Sequence, residues 1–151
     1  MKKAILLLTL CAASLPCQAR DWGNFIKKVE DADPLTIQKL PGTVNKIGDS
    51  LSDRDAIELA TAISFALLLD PANVLKATDE IGKNTDELIQ RFDSEMICSV
   101  PMMNSQYTLE EMEEYYDQAT ISLKKAGKPG TDCLKNMQDT MAELRTMPST
   151  K

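Results

Sequence analysis

The chain has 151 residues, 43% of them hydrophobic, and sets 23 acidic against 17 basic side chains with no histidine, a formal net charge of −6. Without imidazole, His-assisted serine or cysteine catalysis, most zinc sites and pH switching near neutrality are excluded. The negative charge also argues against binding nucleic-acid phosphates or anionic lipid surfaces.

The first nineteen residues read as an export leader. MKK gives a positive start, residues 4–10 an apolar run, and Cys17-Gln18-Ala19 small residues spaced one apart, which predicts cleavage after Ala19. The apolar run is shorter than the about 20 residues of a membrane span. Leu10 and Pro16 precede Cys11 and Cys17 where lipid attachment needs a small residue. The expectation is a signal peptide over 1–19, a single helical domain over 20–151, and a periplasmic location without membrane insertion. The leader takes with it Lys2, Lys3 and two of the four cysteines, but no acid. The mature charge becomes about −8, and Cys98 and Cys133 remain. In an oxidising compartment these two predict one disulfide.

Along the mature chain the apolar pattern has helical spacing, with no alternating strand. Trp22, Phe25, Ile26 and Val29 form a short amphipathic turn or two. Pro34, Pro41-Gly42 and Gly48 then divide residues 30–50 into small pieces. Ser52 with Asp55 resembles a capping box, and opens a helix apolar almost all round from Ala56, suited to the middle of a bundle. That apolar stretch, about fourteen residues with Glu58 inside it, is too short to span a membrane. Asp70-Pro71 stops it and caps the next helix, whose inner face is Val74, Leu75, Thr78 and Ile81, ending at Gly82.

Asn84 with Glu87 opens a further helix carrying Leu88, Ile89, Phe92 and Met96 towards Cys98, and Pro101 ends it. Thr108 with Glu111 caps a helix over residues 109–126, with Leu109, Met112, Tyr116, Ala119 and Leu123 on its apolar side. Gly127-Lys128-Pro129-Gly130 is a turn, and the last helix follows Thr131 with Leu134, Met137, Met141 and Leu144 inward. A Cys98–Cys133 bridge therefore holds the intervening helix at both ends. The expected fold is all-α, a compact bundle of five or six helices with one disulfide.

The chemistry left open is narrow. Asp49, Asp53 and Asp55 lack the spacing and glycine of a calcium loop and read as helix-start carboxylates. Acid pairs such as Asp93 with Glu95, or Glu113 with Asp117, occur in any acidic helical protein and do not mark a glycosidase. Five methionines at helical spacing read as core rather than copper ligands. No nucleophile, base, metal set or cofactor motif emerges, so a non-enzymatic role is expected, with no cofactor.

The stretch MICSVPMMNSQYTLEEMEEYYD, residues 96–117, is the candidate binding site. Glu110, Glu111, Glu113, Glu114 and Asp117 fall within two helical turns. They either complement the helix dipole as a solvated face or meet a basic protein partner, and Glu111 also serves the cap. Met102, Met103 and Tyr107 either fold over the core or offer adaptable contact area. The candidate partner-binding residues are Met102, Met103, Tyr107, Glu110, Glu113, Glu114 and Asp117. In overall organisation the chain is similar to small, exported, helical, disulfide-bearing immunity proteins of bacterial toxin delivery, without a motif shared residue by residue. That similarity implies an inhibitor of a secreted toxin. An accessory factor for pilus or secretion-system assembly, and an acid-stress periplasmic chaperone, are the alternatives.

Overall fold

A computed structural model describes residues 15–147, with side chains from residue 21. Residues 1–14 of the expected leader lie outside the described residues. Six helices of eleven residues or more carry the fold: α1 (Leu15–Glu30), α2 (Pro34–Ile47), α3 (Asp53–Leu69), α4 (Pro71–Ile81), α8 (Leu109–Leu123) and α9 (Lys128–Thr146). Between α4 and α8 come three single turns, α5 (Glu87–Gln90), α6 (Ser94–Ile97) and α7 (Val100–Met103). The expected all-α bundle with one disulfide is the fold observed, and these single turns are why the helix count exceeds five or six.

The core is organised around α3, as its nearly all-apolar sequence predicts. Leu59, Ile63, Ala66 and Leu67 are fully buried, and α3 packs against α1, α4, α8 and the short helices α6 and α7. The other extensive pairings are α2 with α4 and α8 with α9. No helix among the described residues is long and apolar enough to cross a membrane.

Local chemistry explains most helix starts. Ser52 Oγ accepts from the Asp55 N–H at 3.2 Å, Asp70 Oδ1 from Asn73 N–H at 3.3 Å, and Asp33 Oδ1 from Thr36 N–H at 2.9 Å. Each satisfies an amide that has no partner inside the helix. These bonds hold the Asp33 carboxyl below its usual range, the Thr36 hydroxyl and amide being the main causes.

Several expectations are corrected. Residues 30–50 are not small pieces: α2 runs straight through Pro41. Ile37, Leu40 and Val44 are all buried, and the packing of α2 on α4 outweighs the amide bond that proline removes. The single helix expected from Asn84 to Cys98 is broken between Arg91 and Asp93, because Asp93 leaves the helix in extended conformation and caps a new turn through Met96 N–H at 2.9 Å. Leu88 and Met96 are consequently exposed, while Ile89, Phe92 and Ile97 fill the core. On α8 the inward aromatic is Tyr115, not Tyr116, and Leu109 is exposed. The spacing from Met112 fits either tyrosine, at i+3 or i+4.

At the α8–α9 corner the backbones approach closely. α8 ends at Leu123 rather than residue 126, and α9 begins at Lys128, before Thr131. Gly127, at φ 70, makes the turn, in a region that suits glycine. Gly130 then lies so close to α8 that a Cβ would stand 2.1 Å from the Leu123 carbonyl oxygen. Cys98 and Cys133 are bonded, with Cα atoms 5.4 Å apart, joining the C-terminal end of α6 to the first turns of α9.

Candidate protein-binding site

The segment from Cys98 to Thr108 is fixed at both ends. Cys98 is buried and covalently tied to Cys133, and the Ser99 hydroxyl lies 3.2 Å from that of Thr140 on α9. At the other end the Thr108 capping box is complete. Glu111 N–H donates to Thr108 Oγ1 at 3.2 Å, and Thr108 N–H donates to Glu111 Oε2 at 2.7 Å. Between them Asn104 organises the loop: its side-chain oxygen accepts from Gln106 N–H (3.0 Å) and its carbonyl from Tyr107 N–H (3.1 Å). Such side-chain-to-backbone bonds give a short loop a defined shape.

The candidate residues divide clearly. Met102 is fully buried and is removed from the contact surface, because the α7 turn, unforeseen in the sequence, points it into the core with Pro101. Met103 is 56% exposed. Tyr107 is half-buried, its ring edge-on to Phe65 at 6.2 Å, and Phe65 is in turn edge-on to Tyr115 at 5.5 Å. Tyr115 is buried and donates its hydroxyl to the Ser64 carbonyl at 2.9 Å. Burial, and then the carboxylates of Glu30 and Glu111, raise the Tyr107 phenol above its usual range.

Glu110, Glu114 and Asp117 are exposed, at spacings of four and three on one face of α8. Glu113 differs from them. Its carboxylate accepts from Arg145 Nε at 3.1 Å, and the Arg145 guanidinium lies 5.8 Å from the Tyr116 ring, so part of its charge is answered within the molecule. The Thr108 amide and hydroxyl keep the Glu111 carboxyl below its ordinary range.

Two hollows flank Tyr107. One, of about 280 Å³, is lined by Phe65, Tyr107, Tyr115, Glu111, Glu114 and Pro101 among others. The second, of about 620 Å³, lies toward α1 and includes Ile26, Glu30, Ile57 and Glu58. The Glu58 carboxylate accepts from Trp22 Nε1 at 2.9 Å, joining α1 to α3 at this edge. Phe65, Tyr115 and Glu111 were not among the site residues read from the sequence. Phe65 carried a faint signal as the one aromatic in an otherwise aliphatic helix, but its meeting with Tyr107 is a tertiary contact that spacing does not encode.

On another side, a cavity of about 650 Å³ opens beside the disulfide, where Asp79, Asp93 and Asp132 share the lining with Lys83 and Lys128. Glu95 adds a fourth carboxylate against the two lysines, so the cavity is acidic on balance, with its charge partly offset by its own lining. Among the described residues no three acidic or cysteine side chains are grouped to hold a metal ion. Comparison with protein families, curated proteins and solved structures found no match to this chain.

Proposed function

We propose that this is an exported, periplasmic, non-enzymatic protein that binds another protein, most specifically an inhibitor or immunity factor that neutralises a secreted toxin. The proposed contact surface is the loop 103–108 with the outer face of α8: Met103, Tyr107, Glu110, Glu114 and Asp117. The observation that carries the reading is the double anchoring of this loop, by the disulfide at one end and the Thr108 capping box at the other. A loop held in one shape loses little freedom on association. The stripe of carboxylates beside it favours a basic partner, speeding encounter more than it adds affinity. The leader-like start of the chain supports export, and the histidine-free composition supports a binding rather than a catalytic role.

The test uses the protein as bait in an envelope extract, followed by association kinetics with the purified partner. Glu110→Lys with Asp117→Lys should slow capture about threefold to tenfold at low ionic strength, an effect that fades as salt is raised. Unchanged association rates would remove this face from consideration, and a partner that enhances an enzymatic turnover by this chain would end the non-enzymatic reading.

A further inference from the structure

The smaller hollow beside Tyr107 has the chemistry of a cation receptor for one side chain. At about 280 Å³ it lies below the roughly 300–1,000 Å³ typical of small-molecule and cofactor sites. Three aromatic rings share its walls with Leu68, Pro101 and Met112, and Phe65 stands near-perpendicular to Tyr107 at 76° and to Tyr115 at 84°. Its polar rim is acidic, with Glu111 and Glu114 in the lining and no lysine or arginine.

The Glu111 carboxylate is held in position before any ligand arrives. Glu111 Oε2 takes both the Thr108 amide (2.7 Å) and the Thr108 hydroxyl (3.0 Å), an arrangement that leaves Oε1 as the free acceptor. Glu114 Oε1 takes only a long contact, 3.3 Å, from Gln118 Nε2 one turn on. An apolar side chain entering here would strip water from these charges without replacing its bonds. A lysine would offer a compact, strongly hydrated charge. Arginine offers a planar, weakly hydrated guanidinium that stacks on rings and presents several donors to carboxylates.

We propose that this hollow seats a single arginine side chain of the partner protein, its guanidinium against the Tyr107 and Phe65 rings and directed to the Glu111 and Glu114 carboxylates. This rests on the reading above that the Tyr107 face is where a partner docks. It specifies the chemistry of the anchoring residue: an arginine projecting from a surface otherwise complementary to an acidic helix.

The inference is tested on the whole protein with Nα-acetyl-arginine methylamide, titrated by NMR against the citrulline analogue, which has the same shape without the charge. Saturable shifts centred on Phe65, Tyr107, Glu114 and Tyr115 are expected, with arginine binding about tenfold tighter than citrulline. Glu114→Gln should weaken the arginine probe about fivefold and leave the citrulline probe unchanged, and Tyr107→Leu should weaken arginine binding as well. Equal affinity for the two probes, shifts scattered over the acidic surface, or indifference to both substitutions would overturn the inference. Failure of the docking reading is separable. If Glu110→Lys with Asp117→Lys leaves capture unchanged while the arginine probe still binds, the interface is wrong and the receptor stands. If capture responds but the probes do not differ, the reverse holds.

Discussion

Residues 84–103 and residues 109–123 follow one another in the chain and obey different rules. The first stretch turns three times in single helical turns and is tied to its surroundings by individual polar side chains. Ser64 Oγ donates to the Ile97 carbonyl at 2.8 Å, and Arg91 Nη2 to the Gly48 carbonyl at 2.7 Å. The Ser94 hydroxyl donates to Asp79 Oδ1 at 2.5 Å beside buried Thr78. The second stretch, α8, satisfies its backbone internally, and its carboxylates face outward. Irregular backbone in the interior needs such individual partners because each unpaired carbonyl is costly. A continuous helix does not, and so has side chains to spare for recognition.

Breaking the covalent tie that holds the irregular stretch to α9 should have the largest effect. Replacing Cys98 and Cys133 by alanine removes a closed loop of 35 residues, which should lower stability by about 3 to 4 kcal/mol in a denaturant titration. Hydrogen exchange should rise in residues 94–103 before it rises in α8. Next comes Gly130→Ala. Its Cβ would press on the Leu123 carbonyl oxygen, a backbone atom that cannot swing aside, and a loss of about 2 to 3 kcal/mol is expected from thermal melts. Ser64→Ala strands the Ile97 carbonyl and should cost about 2 kcal/mol, with exchange loosening confined to the irregular stretch.

The smallest effect falls on α8 itself. Thr108→Ala removes the cap and should cost about 1 kcal/mol at neutral pH. Thr108 lowers the Glu111 pKa in the folded protein chiefly through its amide, which alanine keeps, and secondarily through its hydroxyl, which alanine lacks. The hydroxyl's contribution is present above the ordinary glutamate range and is lost as pH falls through the folded value. The stability gap between wild type and Thr108→Ala should therefore narrow below about pH 4.5, the usual value for this carboxyl. A gap that stays constant into acid would separate the cap from the carboxylate.

Much of this fold was readable in the sequence, and the exceptions have physical reasons. The caps at Ser52, Asp70 and Thr108, the central position of α3 and the Cys98–Cys133 bridge are local or nearly forced, and each was anticipated. α2 was misjudged because Pro41-Gly42 is a strong local breaker, whereas Ile37, Leu40 and Val44 win through packing on α4. The break at Asp93 was hidden because Phe92 and Met96 keep helical period across it. Of the candidate site, Met103, Tyr107 and the acidic stripe are where the sequence placed them, on or at the surface. Met102 went inward with a turn that has no apolar rhythm. The Phe65–Tyr107–Tyr115 cluster joins α3 to two tyrosines of a segment far along the chain, and no single window holding all three could announce it.

The sulfur bridge has one more consequence. A protease that nicks the chain anywhere between its two cysteines, the outward-facing loop near Gln106 being the natural point of attack, leaves both fragments bound in one molecule. Such a clipped form would migrate as a single species until a reductant is added. Damage at this loop would thus cost the protein its local shape without releasing a separate piece.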